Sequence, residues 1–481
     1  MAQDQGGCMF LKMTLVFVFF VSCFQNSSES QDSLAEQAEA TMKRAATYFR
    51  ESVATHGGYV YHYSPDLQQR WGEGVATRDQ IWIQPPGTPT VGMAFLDAYQ
   101  ATGDEYYLEA AREAAYAVAY GQLKSGGWQN CVDFNKRGAR VNQYRNGKGG
   151  GKNNSSFDDG QTQSALLFMI KMDKALDFKD KTIHESAMVG LKAVLDAQFP
   201  NGAFPQVFTG PVTPQPMASS NFPSYDWRTA GRVKNYWDMY TLNDNVTGYI
   251  AKTLIEAHSV YNDPKYLTAL EKLGDFLILA QMPQPQPGWA QQYNYNMQPI
   301  WARKFEPPGI SGDETQEVID TLLDLVEITG NVKYLKPIPA AIAWLKKSQL
   351  PNGQLARYYE LKTNRPLYMQ REGKVYSLTY DDSNLPSHYG WKTDSRIREL
   401  EQRVKRVKDG KPAPSLDSSE LQASVETLIE SLDKQGRWIT VSQGERLVGQ
   451  PKIAEGMSYI SSETFSENLR TLSEYLSRSE K

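Results

Sequence analysis

Cysteine is almost absent from this chain, with three in 481 residues. Cys8 and Cys23 fall in the first thirty residues, which leaves Cys131 for the body. An internal disulfide framework is therefore not expected, and the fold must be held by its core. Histidine is nearly as scarce, at five residues, and no His or Cys stands at zinc-ligand spacing. An excess of either charge is also lacking. Lys and Arg total 51 against 55 Asp and Glu, a net charge of −4. That balance excludes a general affinity for polyanions, nucleic acid included, so any acidic ligand must meet a local basic patch. Long apolar runs are missing beyond Met13–Cys23 (MTLVFVFFVSC), which is too short to span a bilayer.

That run follows Lys12 and reads as the apolar region of an export signal, so residues 1–30 are expected to be a signal peptide. Phe20-Val21-Ser22-Cys23 is similar to a lipoprotein cleavage site, in which Cys23 would carry a lipid anchor. Simple cleavage near Ser27–Gln31 is the alternative. The protein is thus expected to be periplasmic, an outer-membrane lipoprotein or extracellular. Residues 31–481 are read as one catalytic domain, and a monomer is expected. The composition is otherwise that of a globular chain, 40% hydrophobic and 22% charged. Aromatics reach 11%, enough for a large core or for flat sugar-stacking faces.

Two local patterns recur. One is a helix end followed by a Tyr-Leu start: Ala101-Thr-Gly-Asp104 before Tyr107-Leu108, Tyr261-Asn-Asp before Tyr266-Leu267, and Thr329-Gly-Asn before Tyr334-Leu335. The other is a Gly/Pro loop with Gln and aromatic neighbours: Ser125-Gly-Gly-Trp128-Gln129, Gln198-Phe-Pro-Asn-Gly202, Gln281 with Gly288-Trp289, and Gln349-Leu-Pro-Asn-Gly353. Amphipathic stretches such as Ala187–Ala197 and Ala340–Ser348 lead into these loops. The unit is helix, short turn, helix, loop. It returns every ~70–85 residues, so about five units fit the chain. The fold class expected is all-α, an (α/α) toroid or incomplete helical barrel of helical hairpins with its loops on one rim. Residues 133–156, rich in Gly, Asn, Lys and Arg, read as a surface loop. Arg396–Lys411 reads as a solvated charged helix, and Gly410–Ser419 as a linker or flexible loop.

Acidic residues open two of the helical stretches. Phe157-Asp158-Asp159-Gly160 precedes Ser164–Met172, and Asn243-Asp244-Asn245 precedes Gly248–His258. Such residues cap helices and suit their positive ends. They could also converge as hard oxygen ligands, in which case Asp158, Asp159 and Asp244 would hold a calcium-like ion. Trp301-Ala302-Arg303-Lys304-Phe305-Glu306 places a basic pair in an aromatic loop, and Arg357 and Arg371 flank a second loop region. These are either ordinary surface cations or forked donors for carboxylates. A uronic-acid polymer gives both groups one purpose. Its C5 proton becomes removable only when the charge building on the neighbouring carboxylate is neutralised.

Taken together, the chain resembles family ten of the pectate lyases over about residues 85–375. The similarity is carried by Gly202-Ala-Phe-Pro205-Gln206-Val207, Asp238-Met-Tyr-Thr241-Leu-Asn243-Asp244-Asn245, Ala290-Gln291 with Trp301–Glu306, and Arg357-Tyr-Tyr-Glu360 with Asn364-Arg-Pro-Leu367. The resemblance implies the (α/α) toroid and calcium-assisted β-elimination of polygalacturonate with Ca2+ as cofactor. It implies Arg303 as catalytic base and Asp158, Asp159 and Asp244 as metal ligands. Arg357, Arg371, Asp238, Asn243 and Lys304 are expected at the substrate. Asp159 departs from the Asp-Asn of some members and adds a carboxylate. Two other readings stay open: a glycoside hydrolase on the same toroid using Asp158 and Asp244 as acid and base, and a non-catalytic glycan-binding surface lipoprotein.

Overall fold

A computed structural model describes residues 33–414, 417–449 and 451–479. The segment expected to be an export signal, with Cys23, lies outside the described residues. Thirteen α-helices occur among them: α1 (Leu34–Tyr48), α2 (Thr88–Thr102), α3 (Glu105–Tyr120), α4 (Gln161–Ala175), α5 (Lys181–Asp196), α6 (Trp227–Ala230), α7 (Val246–Tyr261), α8 (Pro264–Ala280), α9 (Gly312–Thr329), α10 (Ile338–Ser348), α11 (Ile397–Lys408), α12 (Ser418–Ser431) and α13 (Ser462–Ser479).

Caps explain the hairpin turns. Gly103 ends α2 in the left-handed region, at φ 68°, and Asp104 then caps α3 through its side chain. Asn262 and Asp263 do the same between α7 and α8. After α9 the sequence pattern predicts a helix starting at Tyr334-Leu335. The structure instead has a 3-10 turn, Val332–Leu335, with α10 beginning at Ile338. Pro337 lacks an amide hydrogen and suits only the start of a helix, which delays α10.

The hairpins assemble as an all-α toroid. Helices α13, α2, α4, α7 and α9 pack in succession as the inner row. Their outer partners are α1 and α12 on α13, α3 on α2, α5 on α4, α8 on α7, and α10 on α9. Close approach is built in at Gly92 of α2, where an added Cβ would sit 2.3 Å from the Phe168 ring of α4. Short strands repeat with the hairpins. Gln80–Trp82, before α2, pairs with Cys131–Asp133, after α3. Ser155–Ser156 and Val207–Phe208 bracket α4 and α5 in the same way, and Tyr240–Thr241 and Gln292–Tyr293 bracket α7 and α8. Ile310–Ser311 and Tyr358–Tyr359 bracket α9 and α10. The fifth pair joins the two ends of the chain: His62–Tyr63, after α1, lies against Ser461 and Ile460, before α13. The last hairpin is therefore made from both termini.

The glutamines at these loops have a structural use, and in the first loop it falls to Gln122, ahead of the loop, while Gln129 donates to the Asn154 carbonyl. Gln122 donates to the carbonyls of Gly126 and Ser186, at 2.8 and 2.9 Å. Gln198 donates to Gly202 and Ala269, and Gln281 to Pro287 and Pro337. Each amide closes its own Gly/Pro loop and ties it to the next hairpin. These loops would otherwise leave buried carbonyls without donors.

Two loop readings change. The segment 133–156 is not wholly superficial: Tyr144 is fully buried, and its hydroxyl accepts from the Asp133 amide at 2.8 Å. The charged helix is α11, and one side of it is engaged with α9. Arg403 bonds Asp320, Asp324 and Glu327 at 2.9, 2.5 and 2.7 Å. No helix among the described residues is long and apolar enough to cross a membrane.

Candidate active site

Inner helices α2, α4, α7 and α9 bring their N-terminal ends, with the residues just before them, to one place. Two of these ends have the same construction. A 3-10 turn, Asp158–Gly160, precedes α4, and another, Asn243–Asn245, precedes α7. The middle residue of each is an aspartate in the left-handed region, Asp159 at φ 46° and Asp244 at φ 53°. Short polar side chains tolerate that region, at a cost of order 1 kcal/mol. The two turns contact one another.

Arg303 lies across them. Its Nη2 is 3.1 and 3.0 Å from the two carboxylate oxygens of Asp158 and 3.6 Å from Asp244 Oδ2. Its Nη1 is 3.4 Å from Glu306 Oε1, and its amide donates to Glu306 Oε2 at 3.0 Å. Arg357 comes from the other side, 3.5 Å from Asp244 Oδ1, 3.3 Å from Asp313 Oδ2 and 3.5 Å from Glu314 Oε1. Its guanidinium stacks on Tyr389, at 4.7 Å, and the Tyr389 hydroxyl donates to Glu306 at 3.1 Å. Gln206 donates to Asp158 at 2.6 Å and Gln84 to Asp159 at 3.0 Å.

Carboxylates outnumber guanidiniums here, and burial is deep, so Asp159, Asp244, Glu306 and Glu314 hold protons more tightly than usual. Burial and then the charges of Asp244 and Asp158 push Asp159 up to about 8. Burial and then Asp158 push Asp244 up to about 6. Glu314 is raised to about 7, first by burial and against the pull of Arg357, with Asp313 adding to the rise. Burial alone would lower the Arg303 guanidinium, but Glu306, Asp158 and Asp244 outweigh it and hold it well above its ordinary value.

Glu314 lends itself to a stability measurement. Its folded value lies above its unfolded one, so its contribution is fully present below the unfolded value. It is lost as pH rises through about 7. Glu314→Gln, which cannot ionise, is expected to reduce the fall in unfolding free energy between pH 5.5 and 8.5, measured by urea denaturation. An unchanged slope rejects the assignment.

The other expected residues are dispersed around this cluster. Asn243 is buried and donates to Asp244. Asp238 is exposed and lines a groove of ≈ 530 Å³ together with Asp158, Arg303, Gln206, Tyr236 and Trp237. Lys304 is exposed next to Arg303. Arg371 stands apart from the cluster. It bonds the Gly373 carbonyl at 2.7 Å and lies 5.5 Å from the Tyr376 ring. Tyr376 leads through Phe305 to Tyr389 by ring contacts of 5.6 and 4.8 Å.

Sequence reasoning missed Asp313, Glu314, Tyr389 and Gln84. Asp313 and Glu314 had a signal, because they open the next inner helix as Asp158 and Asp244 open theirs. Ser311-x-x-Glu314 reads as a helix cap, and Ser311 does cap α9. Tyr389 sits in an irregular loop with no motif around it.

The donor chemistry suits a hard divalent cation. The nearby side chains offer carboxylate and amide oxygens with no thiolate or imidazole among them. Two amide oxygens of the second turn, Asn243 Oδ1 and Asn245 Oδ1, and one at the first residue of α4, Gln161 Oε1, are buried with no hydrogen-bond donor. As they stand, no three His, Cys, Asp or Glu side chains among the described residues are grouped to hold a metal. Asp158 faces Arg303, and Asp159 is taken by Gln84.

Residues 122–355 match the family model described as pectic acid lyase. No curated protein matches the chain. Among solved structures, the chain is similar to a mutant family 10 polysaccharide lyase from Cellvibrio cellulosa in complex with trigalacturonic acid. The identity is 19% and the TM-score 0.47, over 66% of this chain and 98% of that one. It is also similar to an α-mannanase from Bacteroides thetaiotaomicron, at 10% identity and TM-score 0.44 over 93% and 97% of the two chains. A cellobiose 2-epimerase from Bacillus thermoamylovorans gives 14% and 0.46 over 92% and 99%.

Proposed function

We propose that this chain is a pectate lyase that cleaves polygalacturonate-type polymers by β-elimination, with Arg303 as the base and a calcium ion at Asp158, Asp159 and Asp244. One observation carries the reading: a single guanidinium, lining a groove, spans carboxylates from the turns that precede two neighbouring inner helices. The match of residues 122–355 to the pectic acid lyase model supports the same conclusion.

The elimination removes the C5 proton, forms the C4–C5 double bond and breaks the bond from C4 to the bridging oxygen, which leaves with a proton. When bound, a divalent cation neutralises negative charge on the substrate carboxylate and on the aspartates around it. Arg303 takes the C5 proton. An arginine gripped by three carboxylates is a poor base, since each of them favours its charged form. The base role therefore requires Asp158 and Asp244 to turn their charge away from Arg303. Arg357, fixed by stacking on Tyr389, offers a planar fork for a sugar carboxylate. Gln206 holds Asp158 in place.

A hydrolase using Asp158 and Asp244 as acid and base shares these residues but not the product. Incubation with polygalacturonate and calcium is expected to give ultraviolet-absorbing unsaturated ends, and a chelator is expected to stop their formation. Reducing ends without the chromophore would favour the hydrolase, and binding without turnover the glycan-binding reading.

A further inference from the structure

One strongly charged surface lies outside the site. Between residues 134 and 152 the chain carries Lys136, Arg137, Arg140, Arg145, Lys148 and Lys152 and no acidic residue. In a protein of net charge −4, this is a local concentration of positive charge. The segment is anchored rather than loose. Buried Tyr144 bonds Asp133, and the Asp133 carboxylate accepts from Gln80 at 2.9 Å and from the Asn135 amide at 3.1 Å. That acid is spent on holding the loop. Arg145 pairs with Glu185, and the other five cations form no ion pair among the described residues.

The loop encloses a second cavity, of ≈ 300 Å³, between Asn130 and Arg140. Lys152 lines both this cavity and the groove that holds Asp158 and Arg303. Arg140 stacks 5.2 Å from the Trp82 ring, which fixes the plane of its guanidinium while the residue stays exposed. Two acids border that wall, and both have partners: Glu73 accepts from the Asn130 side-chain amide, and Asp133 accepts from the Arg140 backbone amide at 3.4 Å. A ligand bearing carboxylates at regular intervals would find Arg303, Lys152 and Arg140 in sequence along one path.

We propose that the cavity at Arg140 and Lys152, with Lys136 and Arg137 on the same loop, is a distal subsite for the uronate chain, which extends the substrate path beyond the groove. The inference rests on the reading of the substrate as an acidic polysaccharide. It makes chain length a determinant of affinity through paired charges on an anchored loop.

The test uses the full chain carrying Lys136→Ser, Arg137→Ser and Arg140→Gln, with Lys152 unchanged because it also lines the groove. On polygalacturonate at low salt, KM is expected to rise ~10-fold with kcat retained. On trigalacturonate KM is expected to stay the same, and at ~1 M salt the difference should vanish. Equal loss on both substrates, no loss on either, or a deficit that persists at high salt overturns the subsite. Arg140→Gln alone, with an unchanged melting temperature, separates binding from folding. If the wild type makes no unsaturated product, polygalacturonate retardation in an affinity gel replaces turnover. Retardation that depends on the three cations then supports the subsite while the lyase reading falls, and retardation without them ends both. A loop-dependent affinity for single-stranded DNA with none for polygalacturonate also rejects it.

Discussion

Arg303→Lys is expected to lower kcat on polygalacturonate by roughly 10²–10⁴-fold, the usual worth of a positioned proton-transfer group, with polymer affinity nearly unchanged. Lysine is the informative replacement. Arg303 is surrounded by Asp158, Asp244 and Glu306, the last only 2% exposed. Removing the charge altogether, as in Arg303→Ala, strands those carboxylates, and an unpaired buried partner costs about 3–5 kcal/mol. An inactive alanine variant would therefore mix lost chemistry with lost stability. Lysine keeps the charge but lacks the planar fork whose Nη2 reaches Asp158 and Asp244 while its Nη1 reaches Glu306. The measurement is the initial rate of ultraviolet absorbance beside a dissociation constant for the polymer. A lysine variant that keeps turnover within a few-fold would remove Arg303 from the reaction.

Asp244→Asn is expected to abolish the response to calcium and lower the rate by about 10²-fold or more. Asp244 lies between the two arginines, 3.6 Å from Arg303 and 3.5 Å from Arg357, and opens α7. Among the described residues, no other carboxylate pairs with both guanidiniums. Calcium at a hundred times its Kd is expected to stabilise the wild type by about 2.7 kcal/mol, read as a rise in Tm. The Asn variant should show no rise at that same calcium concentration, because its amide oxygen can still ligate but brings no charge, so the site binds too weakly to fill. A wild type whose Tm and turnover both ignore calcium and chelators would reject the ion, and equal calcium shifts in the two proteins would remove Asp244 from its site.

Much of this architecture was legible because helices announce themselves locally. Gly103-Asp104 and Asn262-Asp263 mark turns through backbone rules that need no tertiary partner. The acidic starts at Asp158 and Asp244 were visible for the same reason. The Gln-containing loops were legible as a repeat but not in meaning. Gln198 bonds Ala269, seventy-one residues away, and a structural staple cannot be told from a binding residue by composition. Tyr389 and Gln84 reach the site from segments with no pattern, so only folding brings them in.

The sequence alone determined most of the helices, the hairpin repeat and the kinds of side chain available, because propensity, capping and periodicity act over a few residues; it did not show the short strand pairs or the 3-10 turn at Val332–Leu335. Tertiary structure alone decided which of those side chains meet. It joined the first helix and the last as one hairpin through His62–Tyr63 and Ser461. It set Arg303 against Asp158 and Asp244, and it kept Arg371 two aromatic rings away. The physical reason is distance along the chain. Interactions between residues 145 positions apart, as Arg303 and Asp158 are, depend on the packing of every hairpin between them.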